Sequence, residues 1–330
     1  MDLEEFLAEW HNDSPCVNVH TSGSTGQPKP MLVEKRRMEA SARITCDFLG
    51  LKEGDSALLC MSLDYIAGKM MVVRALTRGL KLTVVEPTGS PSWNGDIDFA
   101  AMVPMQVYNL LQTHEGRERL MAVKHLIIGG GAVDEELASA LASFPNAVWS
   151  TYGMTETLSH IALRRLNGPE ASDWYTPFRG VTLSQTDEGC LVIDAPAVHD
   201  GALVTNDIVE FNITSGISSS PYRESLPFRI LGRKDNVICS GGVKIQAEEV
   251  ERLLRARLRE PYLISKRPDP KFGEAVVLLT TSTDVEAVRT VCQEVLPKYW
   301  QPRYIVHVNQ IPLTETGKPA RKEAERLAVL

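Results

Sequence analysis

Between residues 17 and 151, apolar runs of strand length alternate with amphipathic stretches of helix length, and this alternation constrains the fold more than any other feature of the 330-residue chain. Strands are expected at 17–19, 57–60, 82–85, 99–103, 126–128 and 148–150, with helices at 35–49, 67–77, 105–112 and 134–142 between them. The last helix opens on Asp134-Glu135-Glu136, a cap followed by acids that favour a helix start. Such β/α alternation implies an α/β fold, a parallel sheet with helices on both faces. Ligands on such sheets gather where strands end at their carboxyl side. The polar turn that follows residues 17–19 is therefore expected at such an end.

That turn reads His20-Thr21-Ser22-Gly23-Ser24-Thr25-Gly26-Gln27-Pro28-Lys29-Pro30. Its glycines let backbone N–H groups face an anion, its hydroxyls add donors, and Lys29 adds a compact positive charge, so a nucleoside triphosphate is the natural guest. It is not a Walker A loop. With Gly23 as the first glycine, Pro28 falls where the second belongs and Pro30 where a magnesium-binding hydroxyl is needed.

Beyond Tyr152 the pattern changes to short strands and turns, at 181–184, 190–193 and 208–211, with Asp187-Glu188-Gly189 as a turn; this reads as a small antiparallel β subdomain. A Ser- and Pro-rich loop at 216–227 leads to a strand at 228–231. There follow a glycine-centred hairpin at 233–245, a helix at 247–259 and a mixed α+β remainder ending in a lysine-bearing loop at 314–318. The expected division is 1–232 and 233–330.

Hydrophobic residues at 43% and charged residues at 23% mark a globular chain with ample material for a core. A net charge of −7, without a basic stripe, excludes nucleic acid as the expected partner. Six scattered cysteines without a C-x-x-C pair suggest neither zinc nor disulfides and fit a reducing cytoplasm. The N-terminus is acidic and amphipathic and no apolar run reaches membrane-spanning length, so no membrane insertion is expected.

Five further segments accompany the first turn. They are Gly129-Gly130-Gly131, Ser150-Thr151-Tyr152-Gly153-Met154-Thr155-Glu156, Thr205-Asn206-Asp207, Gly232-Arg233-Lys234-Asp235 continuing through Ser240-Gly241-Gly242, and Thr314-Glu315-Thr316-Gly317-Lys318. Singly, each has an ordinary reading: a helix-start carboxylate for Glu156, a core ring for Tyr152, a turn cap for Asp207, surface charges for Arg233 and Lys318. Their shared order is what those readings leave unexplained, and in that order the set resembles the adenylate-forming superfamily of acyl- and aryl-CoA synthetases, adenylation domains and luciferases.

The resemblance implies ATP, Mg²⁺ and coenzyme A as cofactors and a small-molecule carboxylic acid as substrate. Thr21, Ser22, Gly23, Ser24, Thr25, Gly26 and Lys29 would hold the β- and γ-phosphates, Glu156 would hold Mg²⁺, and Thr155 would lend phosphate a hydroxyl. Tyr152 would stack on adenine beside Thr151 and Gly153, with Gly129, Gly130 and Gly131 letting backbone approach base and acyl group. Asp207 and Arg233 would clamp the ribose, and Lys318 would reach the charge between carboxylate and α-phosphate. The C-terminal domain would swing about Asp235, bringing Ser240, Gly241 and Gly242 to line a pantetheine tunnel. Only about twenty residues precede the phosphate loop, so the resemblance implies a compact form without the usual upstream subdomain, or one that leans on a homodimer partner.

Within the superfamily, residues 232–251 and Leu63-Asp64-Tyr65-Ile66-Ala67-Gly68 look most like the o-succinylbenzoate:CoA ligases of menaquinone biosynthesis, with Tyr65 where a histidine is common. Other aryl- or acyl-CoA ligases, a carrier-protein-loading adenylation enzyme and a nucleotide-binding regulatory protein are the alternatives. A substrate with two carboxylates needs one recognised while the other reacts, and Arg74, with Lys69, is expected to hold the spectator.

Overall fold

The computed structural model describes residues 1–20, 30–213, 226–314 and 319–329. Two compact units divide the chain: Met1–Ser184, Val192–Leu203 and Phe211–Arg229 form the first; Gln185–Leu191, Val204–Glu210 and Ile230–Leu330 form the second.

The first unit begins with helix α1 (Leu3–His11), strands β1 (Cys16–His20) and β2 (Pro30–Glu34) and helix α2 (Lys35–Leu49). Asp2 and Glu5 close a capping box at the start of α1, a helix outside those expected from the sequence. Next come β3 (Ser56–Leu59), α3 (Ile66–Arg78), β4 (Lys81–Val84), β5 (Ile97–Met102), α4 (Pro104–Leu111), α5 (His114–Ala122), β6 (Val123–Ile128), α6 (Glu135–Leu141), β7 (Ala147–Gly153), β8 (His160–Arg165) and β9 (Thr176–Pro177). Strands β3 to β9 build one sheet in the order β4-β3-β5-β6-β7-β8-β9. Its β3–β7 portion is parallel, and β8 runs antiparallel to β7.

Alternate residues of the central strands face different helices. Ala100, Met102, Leu126, Ile128 and Val148 pack with Val107 of α4, Leu120 of α5 and Leu137 and Leu141 of α6. Phe99, one residue out of phase on β5, lies under the Arg74 guanidinium of α3. The expected α/β layering is therefore present. Helix α2 sets Met38, Ala42, Cys46 and Leu49 along one buried stripe and ends at Gly50, whose φ of 67° permits the left-handed turn.

One expectation is corrected. Strand β1 does not belong to the parallel sheet; it pairs antiparallel with β2, Cys16 opposite Glu34 and His20 opposite Pro30. Val17 and Val19 are buried while Asn18 between them is exposed, the alternation of a strand with one covered face. Residues 21–29 lie outside the described residues.

Strands β10 (Thr182–Gln185), β11 (Cys190–Asp194), β12 (Leu203–Phe211) and β13 (Phe228–Arg233) pair in that order and carry residues of both units. In the second unit follow β14 (Val237–Ser240), β15 (Val243–Gln246), α7 (Ala247–Leu254), β16 (Tyr262–Asp269), β17 (Gly273–Thr280), α8 (Val285–Val295), β18 (Tyr304–His307) and α9 (Arg321–Leu327). The expected hairpin is present, with Gly241 and Gly242 at φ of 59° and 84° supplying the two left-handed positions of its turn. Helix α7 stops at Leu254 rather than reaching residue 259, because Arg257 and Leu258 both return their N–H groups to the Leu254 carbonyl in a terminal turn.

Both faces of the second unit's sheet are covered. Val276 and Leu278 of β17 pack toward Val250, Leu254, Val288 and Cys292, and Val277 and Leu279 toward Ala324 and Ala328. At the edge of this core Glu251 receives both Nη atoms of Arg321, at 2.8 and 2.9 Å, and the Ile264 N–H at 2.8 Å. Glu251→Ala would strand the Arg321 charge, so denaturant unfolding is expected to show a loss of about 3–5 kcal/mol, whereas exposed Glu294→Ala should change little.

Candidate active site

Parallel register places the ends of β5, β6 and β7 side by side. Met102 lies opposite Ile128 and Ile128 opposite Ser150, and the Gly129 N–H continues the ladder to the Met102 carbonyl at 3.0 Å. Two expected segments, 129–131 and 151–156, thus leave adjacent strands at the same level. A Cβ built on Gly129 would sit 2.3 Å from Thr151 Oγ1, and Gly130 has a φ of 77°. The first glycine permits close approach between the segments, and the second turns the chain away from the sheet.

Gly153 closes β7 in a similar way: a Cβ there would lie 2.3 Å from the Ser159 carbonyl oxygen. Between them Thr155–Thr157 form a single 3-10 turn. The helix expected to begin at Glu156 is absent. Thr157 Oγ1 contacts both the Met154 and Ser159 carbonyls, and Leu158, buried at a φ of 63°, turns the chain straight into β8. Thr155 is buried while Glu156 is exposed, with no ion pair among the described residues. A single exposed carboxylate suits Mg²⁺, which keeps most of its water and completes its shell with phosphate oxygens. Among the described residues no cluster of three acidic, His or Cys side chains offers an all-protein metal cage.

Tyr152 departs from its expected free aromatic face. It is 6% exposed, with Phe228 edge-on at 5.2 Å and Tyr175 at 6.0 Å, so its ring belongs to an aromatic cluster of the first unit. Lys69 departs as well. Its ammonium bonds the Asn18 carbonyl at 2.5 Å and lies 3.7 Å from Glu9, whose other oxygen takes the Asn18 N–H; it ties α3 to α1 and β1 instead of facing a ligand.

Arg74 is different. It is 2% exposed on α3, and its Nη2 donates to Ser159 Oγ at 2.6 Å. Nη1 meets only the Met71 sulfur at 3.7 Å, Nε has no partner, and no carboxylate pairs with it among the described residues. Burial pulls its pKa down to about 10, which leaves it charged at neutral pH. A buried, uncompensated guanidinium costs on the order of several kcal/mol, and a bound anion removes that cost. Tyr65, at the N-cap of α3, is half exposed. Ser159, the group that holds Arg74, was not singled out in the sequence; only the left-handed backbone before it marks its position.

In the second unit Arg233 is forked between two acids. Its Nη1 donates to Asp207 at 3.0 Å and its Nη2 approaches Asp235 at 3.4 Å, with Asn206 Nδ2 at 3.3 Å from the same Asp235 oxygen. Asp235 lies in a 3-10 turn, Lys234–Asn236, between β13 and β14. Ser240 pairs with Val243 across the hairpin end, and the Gly241 N–H donates to the Phe272 carbonyl. Beside that tip, Arg303 stacks on Phe272 at 3.5 Å and Arg267 on Tyr304 at 3.8 Å, two cations missed in the sequence and without an ion pair among the described residues. Lys318 lies outside the described residues, like Thr21, Ser22, Gly23, Ser24, Thr25, Gly26 and Lys29. No described helix is long and apolar enough to cross a membrane.

A mixed α/β sheet with a glycine turn and a Thr-Glu turn at adjacent strand ends, in a chain whose second unit bears an Asp–Arg clamp, defines the class of adenylate-forming enzymes. The AMP-binding enzyme family matches residues 4–198, and the chain belongs to it. A solved acyl-CoA synthetase (AMP-forming)/AMP-acid ligase II-like protein from Dyadobacter fermentans is 33% identical, covering 97% of this chain and 91% of its own at a TM-score of 0.65. The 2-succinylbenzoate–CoA ligase of Bacillus cereus is 24% identical over 98% of this chain and 71% of its own length. The o-succinylbenzoate CoA synthetase of Bacillus subtilis, solved with its acyl-adenylate intermediate, shares the fold at a TM-score of 0.73 and 19% identity, covering 93% of this chain and 68% of that one.

The contact between the two strand-end segments is testable. Gly129→Ala is expected to lower the melting temperature by several degrees, about 1–3 kcal/mol for an overpacked site, and the added Thr151→Ala change to restore most of it.

Proposed function

We propose that the chain is an AMP-forming acid:CoA ligase whose acid is o-succinylbenzoate. The observation that carries the substrate is Arg74, a buried cation without a carboxylate partner among the described residues, on the strand side of α3 and bonded to Ser159, two residues past the Thr155–Thr157 turn. A guanidinium holds a carboxylate in a fixed orientation. An acid with a second carboxylate, as in the relatives named for 2-succinylbenzoate, meets that requirement. Gly129 and the half-exposed Tyr65 would border the acid.

In the first step the substrate carboxylate attacks the α-phosphate of ATP, and pyrophosphate leaves as the acyl-adenylate forms. Residues Thr21 to Lys29 hold the departing phosphates, Gly130 and Gly131 give the base room, Thr151 and Gly153 shape its wall, and Tyr152 backs that wall from its buried side. Thr155 lends a hydroxyl to phosphate. Glu156 would hold Mg²⁺, which when bound neutralises phosphate charge. Asp207 accepts the ribose hydroxyls, steered by Arg233, and Lys318 stabilises charge at the forming bond.

In the second step the CoA thiol displaces AMP. The C-terminal domain, residues 233–330, turns about Asp235 so that Lys318 withdraws and Ser240, Gly241 and Gly242 border the pantetheine arm. The scattered, unpaired cysteines accord with a cytoplasmic enzyme.

Two measurements test this reading. Arg74→Ala is expected to raise KM for o-succinylbenzoate about 10- to 100-fold, the worth of a charged hydrogen bond, and to leave 3-benzoylpropionate, which lacks the second carboxylate, nearly unaffected. An equal loss with both acids rejects the anchor. Lys318→Ala should abolish pyrophosphate release while thioester formation from supplied acyl-adenylate persists; equal damage to both steps argues against the two-pose scheme. Thioester formed with free CoA separates this activity from carrier-protein loading.

A further inference from the structure

Arg74 does not hold its orientation alone. Ser159 Oγ, which accepts from Arg74 Nη2 at 2.6 Å, lies 3.1 Å from His160 Nδ1; His160 Nε2 lies 3.2 Å from Thr45 Oγ1; and Thr45 Oγ1 lies 3.1 Å from the Ser41 carbonyl. These groups all belong to the first unit, and Thr45, Ser41 and His160 are buried.

Counting protons gives the chain a direction. The Ser41 carbonyl can only accept, so the Thr45 hydroxyl donates to it and offers His160 a lone pair. His160 is neutral, because burial first and the Arg74 charge second hold its pKa well below the usual imidazole value. Its one proton therefore sits on Nε2, facing Thr45, and Nδ1 is an acceptor. Ser159 gives its proton to Nδ1 and turns its lone pairs to Arg74. In the opposite tautomer the Ser159 proton has no acceptor within this network, which is unfavourable for a partly buried hydroxyl.

The backbone supplies a second, independent observation. Leu158 is the non-glycine residue at positive φ among the described residues, at 63°, and it is 3% exposed. Such a conformation persists where the surroundings dictate it, and here it aims Ser159 back toward α3 while Thr157 Oγ1 grips the Ser159 carbonyl at 2.7 Å. The same short segment that carries Glu156 thus fixes the group that holds Arg74.

We propose that Ser159 and His160 are positioning residues that lock the Arg74 guanidinium, through the chain ending at Thr45, with its remaining donors directed to the spectator carboxylate of the acid substrate. This inference rests on Arg74 as the acid's anchor. One edge of the guanidinium is spent on Ser159, and Nε and Nη1 keep capacity for a carboxylate. Specificity for a two-carboxylate acid then depends on a neutral histidine that touches no substrate.

The test compares o-succinylbenzoate with 3-benzoylpropionate in steady-state assays of the full-length enzyme. Ser159→Ala is expected to raise KM for o-succinylbenzoate about 3- to 10-fold, to leave kcat and the KM for ATP within about 2-fold, and to leave 3-benzoylpropionate unchanged. His160→Leu should match it, and His160→Asn, whose Oδ1 can stand in for Nδ1, should recover most of the loss. Added to Arg74→Ala, Ser159→Ala should do nothing more. Equal loss with both acids, or full additivity with Arg74→Ala, overturns the proposal. Nitrogen-15 spectra of histidine-labelled enzyme should show His160 neutral and protonated on Nε2 at neutral pH, and an Nδ1–H signal overturns it too. If Arg74→Ala discriminates the two acids and Ser159→Ala does not, this inference alone fails. If Arg74→Ala does not discriminate, the anchor fails first.

Discussion

The parallel register of β5, β6 and β7 is the constraint on which the candidate site depends. Parallel strands end their carboxyl sides together, so segments that follow them emerge at one level whatever their distance in sequence. Residues 129–131 and 151–156 meet because Ile128 lies opposite Ser150. A side chain at Gly129 would forbid that meeting at 2.3 Å, and Gly153 admits the return of the chain at Ser159 with equal closeness. The site is thereby built from backbone proximity first. Glu156 is then placed by a turn too short to have helical freedom.

Two buried cations on one helix show how differently the fold treats charge. Lys69 is neutralised by Glu9 and bonded to the Asn18 carbonyl, which makes it a fastening for the first helix. Arg74, five residues on, receives a hydroxyl and a sulfur and no carboxylate among the described residues. Both were equal candidates by residue type. What separates them is the partner set, and only an uncompensated charge has a reason to wait for an anion.

Much of the first unit was legible because its signals are local. Helix α2 was bounded by an apolar stripe and by Gly50, and α6 by the Asp134 cap, which accepts from the Leu137 N–H at 2.8 Å. The misread parts depend on distant partners. Residues 17–19 became a separate hairpin because pairing is settled by β2, and Tyr152 became a cluster ring because Tyr175 and Phe228 arrive from far along the chain. The turn at Glu156 escaped because a buried leucine at positive φ has no signature in residue type. Ser159 and His160 were invisible for the same reason, since their role lies in hydrogen-bond direction.

The clamp of the second unit joins two acids through one cation. Arg233 divides its two Nη atoms between Asp207 and Asp235, the acids that the proposed function would give to ribose and to the turning point, and Asn206 adds a donor to the latter. Arg233 meets Asp207 at Oδ1, and a carboxylate keeps further lone pairs beside such a contact. The contact with Asp235, at 3.4 Å, is the longer of the two, and its exposed position imposes little desolvation. The strand that carries Asp207 and the turn at Lys234–Asn236 are thus tied through one side chain.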